Sequence, residues 1–222
     1  MIVGERKPLK EIREILKGYK KVLVLGCRTC VAVCMAGGDK EVEMLGSLLR
    51  IASKKDGETL EIVEDAVERQ CDREYIEPIR EKVEACDAVL SMACGCGVQL
   101  MAEVYSAKPV LPAINTNFIG VTESTGVWTE RCAQCGNCVL HLTGGICPIA
   151  RCSKSLLNGP CGGSQNGKCE IDPEVPCGWQ LIYDRMAKLG QLEKLVEVIP
   201  AKDWNTSRDG GPRKVVREDV KI

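Results

Sequence analysis

Short apolar runs along the first half of the chain alternate with stretches whose apolar residues recur every three or four positions. Lys21-Val-Leu-Val-Leu25 is a compact apolar run, the pattern of a strand buried on both faces. Thr59–Val63 alternates as a strand does, and Asp87–Ala93 is a third run. Pro109–Ile114 is a fourth strand, placed at a sheet edge because Pro109 and Pro112 cannot donate to a central ladder. Helical spacing fills the intervals. It runs over Pro8–Lys17 (Leu9, Ile12, Ile15, Leu16), with Gly18 as its stop, and over Asp39–Ser53 (Val42, Leu45, Leu48, Leu49). It returns over Glu74–Ala85, where Pro78 must sit in the first turn or bend the helix, and over Val98–Ser106. Strands alternating with helices predict an α/β fold: residues 1–120 form a parallel-sheet domain, doubly wound and flavodoxin- or Rossmann-like.

The pattern changes after that. Asn115–Arg131 is polar and is expected to link two domains. Residues 121–199 then form a small, loop-dominated, cysteine-rich module, expected to be an iron–sulfur module. Trp179, Leu181, Ile182, Met186 and Leu189, followed by Leu192, Leu195, Val196 and Val198, close it with one or two helices divided by Gly190. Residues 200–222 are a polar tail whose composition does not fold alone, so it is either ordered by a partner or loose.

Cysteine placement carries the chemistry. Fifteen cysteines, an odd number, in a chain without a signal-peptide pattern argue for thiolate ligands in a reducing compartment and against a disulfide framework. Eight of them, Cys132, Cys135, Cys138, Cys147, Cys152, Cys161, Cys169 and Cys177, lie in one glycine-rich stretch. Cys-x2-Cys-x2-Cys folds three thiolates round one small centre, and Cys147 followed by Pro148 resembles the remote ligand of ferredoxin-type runs. Two [4Fe-4S] clusters would use all eight. Zinc is the rival, although structural zinc sites are usually built from separated Cys-x2-4-Cys pairs. In the first domain each cluster of cysteines follows a strand: Cys27, Cys30 and Cys34 the first, Cys71 the second, Cys94 and Cys96 the third. All six are expected at the carboxyl edge of the sheet, where open α/β sheets bind ligands, so a third centre is expected there. Cys27, Cys30, Cys71 and Cys94 are the preferred tetrad, with Cys34 and Cys96 behind them. Cys86 is expected in the core. His141, the only histidine, lies between Cys138 and Cys147 and is expected to be neither ligand nor catalyst.

Other classes fall away. A net charge of −1 and a pI near 6.0 give no electrostatic case for nucleic acid. No apolar run approaches a membrane span, and the expected location is cytoplasmic, in an anaerobe. The turn after the first strand, Gly26-Cys-Arg-Thr-Cys30, lacks the Gly-x-Gly-x-x-Gly of a dinucleotide binder, and the chain has no Walker-type motif.

Gly26-Cys-Arg-Thr-Cys, Arg69-Gln-Cys-Asp, Ala93-Cys-Gly-Cys-Gly-Val-Gln99, Cys132-Ala-Gln-Cys-Gly-Asn-Cys, Gly144-Gly-Ile-Cys-Pro148 and Asn158-Gly-Pro-Cys-Gly-Gly163 together resemble the small MetV-type iron–sulfur subunit of methylenetetrahydrofolate reductase. Trp128 to about Gly190 resembles the domain known as the methylenetetrahydrofolate reductase C-terminal domain. The resemblance implies a non-catalytic subunit of one-carbon metabolism, such as the acetyl-CoA pathway. It would relay electrons from ferredoxin or another iron–sulfur donor to a flavin held only in a separate catalytic subunit, which reduces methylene-tetrahydrofolate to methyl-tetrahydrofolate. Two further readings stand beside it. One is a zinc- or cluster-stabilised docking scaffold that transfers nothing. The other is a folate-binding chain using Asn115, Thr116 and the Cys94–Gln99 loop.

Overall fold

The computed structural model describes residues 1–221 and divides the chain into two units, Met1–Trp128 and Thr129 onward. The first contains β1 (Ile2–Arg6), α1 (Leu9–Ile15), β2 (Lys21–Cys27), α2 (Cys30–Val33), α3 (Asp39–Asp56), β3 (Glu61–Val67) and α4 (Arg73–Ile76). It continues with α5 (Arg80–Glu84), β4 (Ala88–Ser91), α6 (Gly95–Val104), β5 (Val110–Pro112) and β6 (Ile114–Ser124). The division between the units falls within β7 (Val127–Cys132).

β3-β2-β4-β5 form a four-stranded sheet in which every neighbouring pair is parallel. Taken in chain order these strands are arranged 2-1-3-4, the order of flavodoxin-like doubly wound sheets, and the direction of winding reverses between β2 and β4. β5, which follows Pro109 and ends at Pro112, is the edge strand that the sequence predicts. Alternation along β2 divides the core. Val22 and Val24 join Ile12 of α1 and Val42, Leu45 and Leu49 of α3 on one face. Leu23 and Leu25 join Ile76 of α4, Val83 of α5, Met101 of α6 and Cys86 on the other. Every one of those strand side chains is fully buried, which is why the run is continuously apolar. Cys86 is a core residue, as expected.

A polar anchor sits at the carboxyl end of this apolar sheet. Gln70, fully buried, donates its amide to the carbonyls of Leu25 (2.8 Å) and Gly26 (3.0 Å), and its oxygen accepts from the Ser91 hydroxyl at 2.6 Å. One side chain after β3 thus ties the ends of β2 and β4. A buried carboxamide in this position needs all these partners, because each unmade bond would cost its desolvation.

Three expectations change. The helix expected over Glu74–Ala85 is two short helices, because Pro78 lies in a 3-10 turn, Glu77–Ile79, that separates α4 from α5. The stretch expected as a linker, Asn115–Arg131, is instead most of a hairpin of β6 and β7. β6 pairs antiparallel with β1, a strand that the sequence pattern does not announce, in a second sheet ordered β1-β6-β7. Ile2 and Val3 are too short an apolar run to signal a strand, and the pairing comes from a partner more than a hundred residues away. The tail is not featureless either, since it makes 3-10 turns at Trp204–Thr206 and Arg208–Gly210.

The second unit is mostly loops. It holds a one-turn helix α7 (Pro148–Arg151), the helix α8 (Gly178–Lys188) and a 3-10 turn at Leu192–Val196 in place of a second helix. Its small core is Trp179, Ile182, Met186 and Cys177, with Ile146, Cys152, Leu156 and Leu195 against them. The Trp179 indole N–H donates to the Leu156 carbonyl at 2.9 Å.

Gln70→Leu removes the three bonds at the sheet edge while keeping an apolar side chain in place. The expected outcome is a loss of about 2–3 kcal/mol, read as a lower urea midpoint at unchanged slope.

Candidate metal centres

The first cysteine group is built by the sheet. Cys27 ends β2 and is buried, Cys71 follows Gln70 directly, and Cys94 and Cys96 open α6 just beyond β4. They gather at the point where the winding reverses, outside the carboxyl ends of β2 and β4. Burial, and then the neighbouring Cys94 and Cys27, push the Cys71 thiol up. Burial, then Cys94 and Cys71, do the same to Cys96. Thiols that disfavour one another's ionisation are close together, and a bound cation would relieve that repulsion. The Gly95 N–H at this edge donates to the Thr116 hydroxyl at 2.8 Å, which sets the start of α6 against β6. Thr116 and the Cys94–Gln99 loop therefore do share one place.

Cys30 and Cys34 lie on the short helix and turn that follow β2. Cys34 is buried in one cluster with Cys27, Val3, Val31, Ala36 and Ile114, against which Cys94 packs; it accepts from the Gly4 N–H at 3.4 Å and lies 3.5 Å from the Gly4 carbonyl. Burial raises its pKa. Cys30 begins α2, one turn before Cys34. Cys96 neighbours Cys94 and Cys71, so it is a candidate at this edge alongside Cys30.

The second group lies in the Thr129-onward unit. Cys132, Cys135 and Cys138 sit on an open loop with Gln134 (φ 55°) and Gly136 (φ 78°) in the left-handed region, and the Gln134 N–H donates to Cys132 Sγ at 3.4 Å. Cys147 caps α7, its Sγ accepting from the Ala150 N–H at 3.4 Å, and Cys152 follows the same turn. Gly178, the first residue of α8, packs so closely on the Arg151 carbonyl that a Cβ would come within 2.4 Å of it. That contact seats Cys177 beside Cys152. Cys161 accepts from the Gly163 N–H (3.4 Å) and donates to Glu170 (3.3 Å), and Glu170 is ion-paired with Lys154. Lys154, and then Cys161, hold the Glu170 carboxyl below its ordinary range. The Ser153 hydroxyl, 3.3 Å from Cys169 Sγ, and the backbone at Ile171 and Asp172 lower the Cys169 pKa. His141 lies in the 3-10 turn Leu140–Leu142, between Cys138 and Cys147.

The donor set fits a thiophilic group in its chemistry: many thiols on loops, several beside backbone N–H groups. No three Cys, His, Asp or Glu side chains are drawn to coordination distance among the described residues. Sequence reasoning missed the roles of Gln70 and Ser153, which hold or tune these thiols. A lone polar residue in a helix–strand pattern carries no periodic signal, and only the folded neighbours give it a role.

Residues 111–205 match the family model described as methylene-tetrahydrofolate reductase C terminal, so this segment is similar to domains of that kind. The match runs from β5 through all eight cysteines of the second group. Comparison with curated proteins and with solved structures returns no match. No helix among the described residues is long and apolar enough to cross a membrane.

Alkylation of the metal-free chain should separate the thiols. Cys34 and Cys86, buried and raised, should react at least about tenfold more slowly than Cys132, Cys138 and Cys161. Cys169 should reach its half-maximal rate at lower pH than Cys34, because its thiolate forms first; peptide mass spectrometry over a pH series reads both.

Proposed function

We propose that this chain is an electron-transfer subunit of a methylenetetrahydrofolate reductase complex. Its catalytic partner is a separate flavin-bearing subunit that reduces methylene-tetrahydrofolate to methyl-tetrahydrofolate, and its electron donor is ferredoxin or a similar iron–sulfur protein. The observation that carries this reading is the gathering of Cys27, Cys71, Cys94 and Cys96 at the switch point of the sheet, in a chain whose other half holds eight more cysteines in a reductase-type domain. A [4Fe-4S] cluster, when bound, supplies one-electron carrier chemistry.

The chain's own residues would do the holding and tuning. Cys27, Cys71 and Cys94, with Cys96 or Cys30 as the fourth, are the donors at the sheet edge. Cys132, Cys135, Cys138 and Cys147 form one set in the second unit, and Cys152, Cys161, Cys169 and Cys177 the other. Cys34, packed in the core on Gly4, is left out of these sets. Cys94 opens α6, a helix of ten residues, so its sulfur stands near unpaired N–H groups that favour a negative centre. Ser153 and the backbone N–H groups beside Cys169 favour its thiolate in the same way. Ligand loops that stand open in the chain alone are expected to close on loading, since metal binding and local folding are coupled.

Anaerobically isolated protein is expected to hold about eight to twelve iron and as many acid-labile sulfides per chain, with flavin only when the partner is present. Cys71→Ser should cost about four iron and one set of electron-paramagnetic signals and leave the rest. Stoichiometric zinc without sulfide would overturn the relay and leave a docking scaffold.

A further inference from the structure

The tail turns back onto the first cysteine loop of its own unit. The Thr206 hydroxyl donates to the Cys135 carbonyl at 2.8 Å. The Arg213 guanidinium donates to the carbonyls of Gln134 (2.5 Å) and Thr206 (3.2 Å), and Lys202 Nζ donates to the Asn137 carbonyl at 2.5 Å. Three of the four carbonyls between Cys132 and Cys138 that follow Ala133 are thus held by one segment. The fourth belongs to Gly136, whose Cα lies so close to the Thr206 carbonyl that a Cβ would come within 2.1 Å of its oxygen. Only glycine leaves room for the tail at that position, and the positive φ there suits it too.

The tail is shaped for this contact before it reaches the loop. Asp203 accepts from the Asn205 N–H at 2.9 Å, capping the first 3-10 turn. Ser207, 5 % exposed, donates to the Trp204 carbonyl at 2.6 Å and accepts from the Asp209 N–H at 3.1 Å. A polar segment that buries a serine and spends its charged side chains on backbone carbonyls of another loop is bound to that loop. The loop in turn holds Gln134 and Gly136 in left-handed conformations, which persist where neighbours over-determine them. Tying its carbonyls on one side leaves its N–H groups for the sulfurs, as the Gln134 N–H to Cys132 Sγ contact illustrates.

We infer that Lys202–Arg213 is a strap that sets the conformation of the Cys132–Cys138 loop, with Thr206 and Arg213 as positioning residues for the thiolate-ligated centre there. This rests on the metal-centre reading above. Two cations on that loop, Lys202 and Arg213, also favour the more negative, reduced state of such a centre, against Asp203 and Asp209 on the strap itself.

The test uses the full chain, Arg213→Gln, Arg213→Lys, Thr206→Val and a chain stopped after Ala201. Amide hydrogen exchange of residues 133–138 is measured first, on metal-free protein; exchange should speed at least about tenfold on truncation and less in Thr206→Val. In loaded protein, extraction of iron by a chelator should speed about 10- to 100-fold in the truncated chain. Arg213→Gln should lower the reduction potential of one centre at unchanged iron content, with Arg213→Lys restoring it. Unchanged exchange and extraction would overturn the strap while the iron content upholds the metal reading. If no variant or parent binds iron, the metal reading fails, and unchanged exchange alone then overturns the strap.

Discussion

The Gln70 carboxamide is the contact on which the sheet edge depends. β2 and β4 are laddered as far as Leu25 and Ser91, with the Met92 N–H on the Leu25 carbonyl at 2.8 Å, and past that point a side chain must hold the two ends together. Gln70 does so by satisfying the carbonyls of Leu25 and Gly26 with one nitrogen and the Ser91 hydroxyl with its oxygen. Because Cys71 is its neighbour in sequence, Cys27 follows Gly26 and Cys94 lies three residues past Ser91, the same three bonds fix the spacing of the cysteines. A buried polar group of this kind is costly unless complete, and its completeness makes a flexible edge into a defined one.

The two units solve the problem of holding thiols differently. The first uses a large aliphatic core with helices on both faces, so its cysteines sit on backbone that would be ordered without them. The second has a core of only a few large side chains, Trp179, Ile182 and Met186 chief among them. Its loops are held by local bonds instead: Cys147 capping α7, Gly178 seated on Arg151, and Glu170 bridging Lys154 and Cys161. Small domains with such cores commonly draw stability from what their ligands bind. Cys34 and Cys86 are buried and their thiols are pushed up by that burial, as those of Cys71 and Cys96 are pushed up at the sheet edge.

The strands and most helices of the first unit were legible because both periodicities are strong there: Val22 to Leu25 is continuous where two faces are covered, and Val42, Leu45 and Leu49 repeat at helical spacing. The edge position of β5 followed from Pro109 and Pro112. β1 and the β6–β7 hairpin were not legible, because Ile2–Arg6 and Asn115–Ser124 show little apolar alternation and owe their structure to pairing with each other. The interruption at Pro78 could be placed only between two alternatives.

The order of residues by itself determined that cysteines follow strands and crowd the stretch from Cys132 to Cys177, since spacing and type are local properties of a chain. Which groups meet was decided by tertiary structure: Cys96 beside Cys71 and Cys94, Cys34 turned into the core on Gly4, and a polar tail folded onto the carbonyls of Gln134, Cys135 and Asn137. Those contacts join residues tens of positions apart. Their energies come from desolvation and hydrogen bonding that exist only once the chain is folded, so no local pattern records them.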